Sequence, residues 1–348
     1  MKCALISVRE NVQLLKVIKK AFPLVYEVEG ESIFEKLEKV FRWYNTLIFV
    51  GSTAILLRNV APLLTSKRRD PAIAVLDERL NHCIPLLSNH LGGAVWLCEL
   101  LKTKLGVEPV YTTATDVNGL CGVDLLAFKL GYAIHPDDVH KIKEVNSLLL
   151  ERGFLKYFGN LGTRIIPGHY IKANDPYDAD VLFDMSEKIK HLNAIRLYSK
   201  KFALGVGFHR GLSGTDLYEA FRRILPAELS FRIGAVGTIR DRWDLPSIHE
   251  FSRRIGAYFT FGFPKKALEK SFYGYLGGKG SDAALKYKGI PSIARASAFM
   301  ASLGGKEVIT VKDKGIGVKF SVFEARDLHW CRKLLRFEKV PEILHKQR

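Results

Sequence analysis

The sequence lacks the features that mark a secreted or membrane protein. Its five cysteines are an odd number without a CxxC pair, so neither a disulfide framework nor a paired-thiol metal site is predicted. The longest nearly apolar stretch, residues 46–57, is bounded by Asn45 and Arg58 and is too short to cross a bilayer. The first apolar run stops at Arg9, so no secretory leader is expected. We therefore expect a reduced, soluble, cytoplasmic protein.

Acidic residues are scarce relative to basic ones. There are 36 Asp and Glu against 53 Lys and Arg, which gives a formal charge of +17 and a pI near 9.6. Such a surplus attracts anionic partners, although basic residues can also serve solubility alone. Nucleic-acid binding needs clustered basic residues with interleaved aromatic ones, and outside a short carboxy-terminal tail the basic residues are dispersed. The charge alone does not choose among nucleic acid, an acidic membrane and a polycarboxylate small molecule. The dispersed basic residues and the short apolar runs lead us to expect no nucleic acid and no membrane.

Metal ligands are also missing from the pattern. The nearest candidates are His82, Cys83, His90 and Cys98, and no pair among them has the spacing of a helical or knuckle site. No protein-bound metal is predicted.

The order of apolar segments indicates the fold. The chain has 348 residues, which is more than one typical domain. Short apolar strands alternate with amphipathic helices up to about residue 132, a pattern typical of a mostly parallel, doubly wound α/β domain. The alternation then fades and resumes. We predict an α/β protein with an amino-terminal domain at 1–132, a small middle module or connector at 133–198, a second α/β domain at 199–325 and a basic tail at 326–348.

Three polar clusters follow apolar runs between residues 77 and 116. In parallel α/β sheets, ligand sites lie at the carboxyl ends of strands. We therefore expect the three clusters to face one cleft. They are Asp77-Glu78, Ser88-Asn89-His90 with Gly92-Gly93, and Thr112-Thr113-Ala114-Thr115-Asp116.

The middle cluster carries the strongest chemical prediction. Ser88 or Asn89 can cap a helix over 91–104, whose first turn would then expose the N–H groups of Gly92 and Gly93 to an anion or an oxyanion. His90 has an ordinary pKa near neutrality and could act as a general base or acid. The alternative is a glycine-rich turn with a capping serine and a hydrogen-bonded histidine.

Carboxylates are the competing candidates for the same role. Asp77, Glu78 or Asp116 could act as the base beside His90. For Asp77 and Glu78 the alternative is a solvated turn, and for Asp116 it is a cap for a helix over 117–130.

A second strand–loop–helix unit contains Gly51, Ser52 and Thr53, a small polar turn suited to contact a ligand. Arg58 lies on the following helix, where it could face an anionic substrate or pair with a surface carboxylate.

The later run LGVGFHRGLSGTDLYEAF predicts a strand, a glycine-rich loop and a helix with a capping box of Ser213 and Asp216. Gly205 and Gly207 approach a dinucleotide fingerprint, but the third glycine is one position late and no strand ends in an acidic residue at the expected distance, so NAD is not expected. Gly205, Gly207 and Arg210 are candidates for an anion cradle, with a tight turn as the simpler explanation.

At this point the sequence resembles a known family, the CbiG-type cobalt-precorrin-5A hydrolases of anaerobic cobalamin (vitamin B12) biosynthesis. The amino-terminal resemblance lies in TLIFVGSTAILLRNVAPLL, DPAIAVLDERLNHCIPLLSNHLGGA and EPVYTTATD, and the carboxy-terminal one in GVGFHRGLS, GIPSIARASAFMASLGG, with Pro291 in the first turn of a helix, and a final hairpin around 313–315. Asn89 and Val95 stand where the family has glycine and asparagine. Residues 239–242, Ile-Arg-Asp-Arg, stand where the family has lysine-alanine-aspartate-glutamate.

The resemblance implies a hydrolase that opens the δ-lactone of cobalt-precorrin-5A with water and releases acetaldehyde to give cobalt-precorrin-5B. Cobalt would come with the tetrapyrrole, so no further cofactor is expected. Contacts with other cobalamin-pathway enzymes and a homodimer stay open. The alternatives are a non-catalytic tetrapyrrole carrier of the same pathway and a nucleic-acid-binding protein. On the enzyme hypothesis the catalytic candidates are His90, Asp77, Glu78 and Asp116, and the substrate-binding candidates are Gly51, Ser52, Thr53, Arg58, Ser88, Gly92, Gly93, Thr112, Thr113, Thr115, Gly205, Gly207 and Arg210.

Overall fold

A computed structural model describes residues 3–9, 11–22, 25–65, 70–161, 166–185, 193–277 and 289–325. The described residues form helices and three sheets, of six, five and five strands, which confirms the predicted α/β class. It divides into two compact units. The amino-terminal unit comprises Ala4–Leu37 and Thr46–Lys200, and the carboxy-terminal unit comprises the described residues from 201 onward with Cys3 and Glu38–Asn45. Within the described ranges no helix is long and apolar enough to cross a membrane.

The first sheet has the strand order β2-β1-β3-β4-β5-β6. Every residue of β3 and β4 is buried, as expected for apolar strands covered on both faces. The elements, in chain order, are β1 (Cys3–Ser7), α1 (Val12–Ala21), β2 (Val25–Glu27), α2 (Ile33–Trp43), β3 (Thr46–Val50), α3 (Thr53–Val60), β4 (Ala72–Leu76), β5 (His82–Leu87), α4 (Ala94–Leu105), β6 (Glu108–Pro109), α5 (Ala114–Val117) and α6 (Val123–Leu130).

One reversal in this sheet decides where the polar clusters lie. β3 and β4 pair in parallel, as do β5 and β6, but β4 and β5 are antiparallel. The carboxyl ends of β4 and β5 therefore lie at opposite edges of the sheet.

The region where the predicted alternation fades forms the second sheet, in the order β7-β11-β10-β8-β9. β10 pairs in parallel with β8 and β11, β9 pairs in parallel with β8, and β7 is antiparallel to β11. Helix α6 and the sheet share one core that includes Leu126, Phe183 and Ile195. The elements are β7 (Tyr132–Ile134), α7 (Ile142–Arg152), β8 (Leu155–Gly159), β9 (Tyr170–Lys172), β10 (Val181–Phe183) and β11 (Ile195–Ser199).

The carboxy-terminal unit contains the third sheet, in the order β14-β13-β12-β16-β15. Strands β12, β13 and β14 are parallel, and β15 and β16 form the predicted final hairpin against β12. The predicted capping box of Ser213 and Asp216 is confirmed at the start of α8. The elements are β12 (Phe202–Gly207), α8 (Gly214–Ile224), α9 (Ala227–Ser230), β13 (Ile233–Ile239), α10 (Arg240–Trp243), α11 (Pro246–Arg254), β14 (Phe259–Phe263), α12 (Lys265–Ser271), α13 (Ile293–Ala301), β15 (Lys306–Asp313) and β16 (Val318–Glu324).

Helix α13 begins at Ile293, with the Ser292 hydroxyl accepting a hydrogen bond from the Arg295 N–H at 3.3 Å. Pro291 therefore precedes the helix, and its predicted place in the first turn is wrong. The basic tail at 326–348 lies outside the described residues.

Glycine in β12 lets α13 approach the sheet closely. A Cβ on Gly205 would lie 1.8 Å from the carbonyl oxygen of Ala294, so a side chain there forces helix and strand apart. We expect Gly205→Ala to lower the free energy of unfolding by about 3 kcal/mol or more, the upper range for overpacking. Urea unfolding measures it. Gly274→Ala is the control, because a Cβ there would lie more than 4 Å from any described atom outside its own helix. Equal losses in the two variants would contradict this explanation.

Candidate active site

Two of the three predicted polar clusters meet at one edge of the first sheet. His90 follows β5 and Asp116 follows β6, and these strands are parallel, so their carboxyl ends lie side by side. The His90 Nε2 atom lies 3.0 Å from Asp116 Oδ2. The His90 side chain is 11% exposed and that of Asp116 is 5% exposed, so this is a nearly buried contact between an imidazole and a carboxylate.

A second carboxylate holds the other side of the same ring. Asp124, in the first turn of α6, places Oδ2 3.1 Å from His90 Nδ1. Asn146 of α7 donates its amide N–H to Asp124 Oδ1 at 3.1 Å and accepts the Val123 backbone N–H at 2.8 Å. His90 therefore lies between two aspartates, the second of which is fixed by an asparagine. We call Asp116, His90, Asp124 and Asn146 the histidine cluster.

The histidine cluster changes the charge of its central ring. Burial alone would lower the pKa of His90, but hydrogen bonds to Asp116 and Asp124 and the charges of both carboxylates outweigh it and raise the pKa to about 10. Burial would raise the pKa of Asp124, and the bond and charge of His90 outweigh it and lower that pKa. At neutral pH the ring is an imidazolium that donates both of its N–H groups to carboxylates. In this form His90 has no lone pair with which to act as a general base.

The glycine pair shapes the turn that carries His90. Helix α4 begins at Ala94 with Gly93 as its cap at φ 91°, and no side chain caps it, so the predicted start at 91 and the predicted cap from Ser88 or Asn89 are wrong. A Cβ on Gly92 would lie 2.4 Å from the Ser88 Cβ, and one on Gly93 would collide with a buried phenylalanine ring. The turn therefore requires both glycines.

That turn also uses one of the N–H groups predicted for an oxyanion. The Gly93 N–H donates to the His90 carbonyl oxygen at 3.0 Å. The Ser88 hydroxyl donates to the Asp70 carbonyl oxygen at 3.0 Å, so Ser88 fastens the turn to the chain before β4. The predicted oxyanion hole at Gly92 and Gly93 is thus wrong for Gly93.

Two buried polar atoms beside the histidine cluster have no hydrogen-bond partner among the described residues. Asn89 donates its amide N–H to the Thr113 hydroxyl at 3.4 Å, while its buried oxygen Oδ1 has no hydrogen-bond partner within the described ranges. The same is true of the buried Thr115 hydroxyl, whereas Thr112 is exposed. Asp116 lies inside the short helix α5, so its predicted role as the cap of a helix over 117–130 is wrong.

The third predicted cluster lies at the opposite edge of the sheet. Asp77 follows β4, and its carboxylate accepts the backbone N–H groups of Arg79 at 2.8 Å and of His82 at 2.5 Å. These and a further backbone bond outweigh burial and lower the pKa of Asp77. Glu78 lies 3.6 Å from exposed Arg9. The expectation of one cleft for all three clusters is wrong, because β4 and β5 are antiparallel.

The Gly51-Ser52-Thr53 turn belongs to the edge of Asp77 rather than that of His90. The Gly51 N–H donates to the Leu76 carbonyl oxygen at 2.9 Å, which joins the end of β3 to the end of β4. A Cβ on Gly51 would lie 2.5 Å from a Val8 methyl group. Ser52 caps α3 without a side-chain hydrogen bond, and Arg58 lies in the last turn of that helix.

Gly205, Gly207 and Arg210 lie in the carboxy-terminal unit. Gly205 serves the packing of α13 described above. Gly207 ends β12, and Arg210 is exposed three residues later.

The thiols do not suggest nucleophilic chemistry. Cys3, Cys83, Cys98 and Cys121 are buried, and burial raises the pKa of Cys121 to about 12. Across the described ranges, no group of three or more His, Cys, Asp or Glu side chains has a metal-binding arrangement.

These observations define an α/β protein with a buried acid–base cluster at a sheet edge. Comparison with known families then identifies the chain. The model described as "Cobalamin synthesis G N-terminal" matches residues 35–116, and "Cobalamin synthesis G C-terminus" matches 202–323. The chain belongs to the cobalamin synthesis G (CbiG) family, which confirms the resemblance seen in the sequence. Asp124 and Asn146 lie outside both matched ranges.

Two relatives match over most of their length. A cobalt-precorrin-5A hydrolase from Salmonella typhimurium is 30% identical over 298 residues, which cover 82% of this chain and 84% of the relative. A cobalt-precorrin-5A hydrolase from Priestia megaterium is 27% identical over 312 residues, which cover 84% of this chain and 81% of the relative.

Proposed function

We propose that this protein is a cobalt-precorrin-5A hydrolase. The observation that carries the proposal is the match to two hydrolases of that name over more than four-fifths of the chain. The histidine cluster supplies a place for the chemistry, because half of it lies within the matched amino-terminal range. The formal charge of +17 suits a substrate whose macrocycle carries several carboxylates.

The reaction needs one base acting twice. In the first step a base takes a proton from water and the hydroxide attacks the lactone carbonyl. The ring ester opens, the leaving oxygen takes the proton back from the base to become a hydroxyl group, and the new carboxylic acid ionises to a carboxylate. In the second step the hydroxyl loses its proton, the carbon–carbon bond to the macrocycle breaks, and acetaldehyde leaves. The bonding electron pair stays on the macrocycle, which takes up a proton. One water is consumed.

We assign the base to Asp116 and not to His90. The pKa of His90 is raised to about 10, so at neutral pH the ring is protonated and donates both N–H groups. It therefore cannot accept the water proton. Asp116 uses Oδ2 for His90, and Oδ1 is the oxygen that we assign to water. Because its side chain is 5% exposed, Asp116 exchanges protons with the substrate through a small molecule such as water in both steps.

In this proposal His90 orients the base and supplies charge. The imidazolium fixes the Asp116 carboxylate by a charge-assisted hydrogen bond, and its positive charge favours the oxyanion that forms on the lactone. Asp124 and Asn146 fix the ring from its other side. His90 and Asp124 are therefore positioning residues.

The surface next to the histidine cluster can receive the apolar part of a macrocycle. Leu91 follows His90 and is 41% exposed, and Val117 follows Asp116 and is 63% exposed. In this proposal the two side chains contact the face of the tetrapyrrole, and the cobalt arrives with the substrate rather than as a cofactor of the protein.

The direct test is to incubate the purified protein with cobalt-precorrin-5A and measure acetaldehyde with an alcohol dehydrogenase assay. We expect one acetaldehyde per cobalt-precorrin-5B formed. Tight binding of the tetrapyrrole without acetaldehyde would instead favour the carrier function, and the proposed function would be wrong.

A further inference from the structure

A pair of arginines lies at the carboxyl ends of β12 and β13, in the carboxy-terminal unit. Arg242 sits on α10, directly after β13, and its Nε–H donates to the Phe208 carbonyl oxygen at 3.0 Å just beyond the end of β12. This bond fixes the direction of the guanidinium. Its Nη1 atom is buried and has no hydrogen-bond partner within the described ranges. A buried cationic N–H group without an acceptor is rare in folded proteins, because leaving it unpaired is costly.

No carboxylate neutralises this guanidinium directly. In the described part of the chain neither Arg210 nor Arg242 forms an ion pair within 4.0 Å. Burial lowers the pKa of Arg242, the positive charge of Arg210 lowers it further, and the charge of Asp241 offsets part of this. Two like charges next to each other, one of them partly buried, favour an anion between or beside them.

The same strand end lies beside the start of a helix. A Cβ on Gly207 would lie 3.7 Å from the backbone nitrogen of Ala294, in the first turn of α13. The positive end of the helix dipole therefore adds to the field at this edge. The third arginine nearby, Arg240, instead stacks on the Trp243 ring, with its Cζ atom 5.1 Å from the ring centroid.

We propose that Arg242 and Arg210 bind an oxyanion at the carboxyl ends of β12 and β13, with the free N–H of Arg242 as its principal donor. The planar guanidinium suits a carboxylate or a phosphate, both of which present two oxygens to it. The anion site stands by itself. That its occupant is a side-chain carboxylate of the tetrapyrrole, rather than free phosphate, rests on the proposed function.

The test compares three variants of the full chain in two binding titrations. Uroporphyrin, a tetrapyrrole with eight carboxylates, is titrated by fluorescence, and inorganic phosphate by calorimetry. We expect Arg242→Gln to weaken binding by about tenfold or more, as for the loss of a charge-assisted hydrogen bond, and Arg210→Gln to weaken it by a smaller factor. Arg222→Gln is the matched control, because Arg222 is exposed on α8 and its replacement removes the same charge elsewhere.

The two titrations distinguish a tetrapyrrole carboxylate from free phosphate as the anion that the site binds. Weaker binding of uroporphyrin alone in Arg242→Gln indicates a site for the macrocycle's carboxylates, and weaker binding of both probes indicates a general oxyanion site that also takes phosphate. Equal affinities in Arg242→Gln and Arg222→Gln would overturn the site. Should Arg242→Gln fail to fold, Arg210→Gln decides, since Arg210 is exposed.

The acetaldehyde assay keeps this inference distinct from the proposed function. If the wild-type protein releases no acetaldehyde while Arg242→Gln still loses probe binding, the anion site is supported and the proposed hydrolase function is wrong. If the wild-type protein releases acetaldehyde while Arg242→Gln binds both probes normally, the hydrolase function is supported and the anion site is wrong.

Discussion

Replacing His90 with asparagine is expected to lower the free energy of unfolding by about 3–5 kcal/mol near pH 6, the usual cost of removing one partner from a buried ion pair. The variant leaves Asp116 and Asp124 buried without the cation that both contact at 3.0 and 3.1 Å. Urea unfolding at several pH values measures this loss.

The pH dependence of the loss has a definite sign. Because folding raises the pKa of His90 from its ordinary value to about 10, the stabilisation is complete below about pH 6.5 and declines as pH rises toward 10. The difference in stability between wild type and variant should shrink over that range. His82→Asn is the control, since His82 is 60% exposed at the opposite edge of the sheet and should change stability by less than about 1 kcal/mol. Equal effects of the two substitutions would contradict the buried cluster.

Replacing Asp116 with asparagine should lower the rate of acetaldehyde release by about 10²–10⁴, the usual contribution of a general base. Asparagine has the same shape, and its oxygen can still accept the His90 N–H, so the fold should survive. Initial rates, corrected for the folded fraction, give the effect.

Asp77→Asn is the matched control for that experiment. Asp77 is also an aspartate after a strand, but it holds its own turn by backbone hydrogen bonds at the other edge of the sheet. We expect some loss of stability and no loss of rate per folded molecule. A large rate loss in Asp77→Asn with a normal rate in Asp116→Asn would reverse the assignment of the base.

The sequence correctly predicted that His90 and Asp116 lie close together, and the structure agrees with the physical reason for that prediction. Each residue follows a short apolar run, and the two runs are separated by a helix long enough to make a crossover between parallel strands. Parallel neighbours bring their carboxyl ends to the same edge.

The length of the link after β4 already indicates that Asp77 does not lie beside His90. Only residues 77–81 separate β4 from β5, whereas a crossover between parallel strands needs about ten residues or more. Such a short link permits only an antiparallel hairpin, which sends Asp77 to the far edge.

Asp124 and Asn146 were missed because their signals are weak. Asp124 is the one acidic residue in the helix VDLLAFKL, whose remaining residues are apolar except for Lys129. This pattern indicates a buried charge with a partner but does not identify the partner. Asn146 is an ordinary polar residue of an amphipathic helix. Only the fold shows that Asp124 contacts the ring of His90 and that Asn146 of α7 contacts Asp124.

The strands of the second sheet could not be predicted from the sequence, because they are short. β7, β9 and β10 have three residues each, too few to give a period of two, and the loops between strands are long. Every residue of β7 and β10 is buried, so burial rather than sequence pattern stabilises these two strands, whereas two of the three residues of β9 are exposed. The third sheet, with strands of five to eight residues, was predictable.

The most direct test of the account is the protonation state of His90, which nitrogen-15 NMR of the histidine rings in the full chain reports. The two ring nitrogens of His90, assigned by comparison with His90→Asn, should keep the chemical shifts of an imidazolium from about pH 6 to about pH 9, because the pKa of His90 is raised to about 10. Titration near the ordinary histidine pKa of about 6.5 would show that the ring is free to act as a base at neutral pH and would contradict the assignment of that role to Asp116.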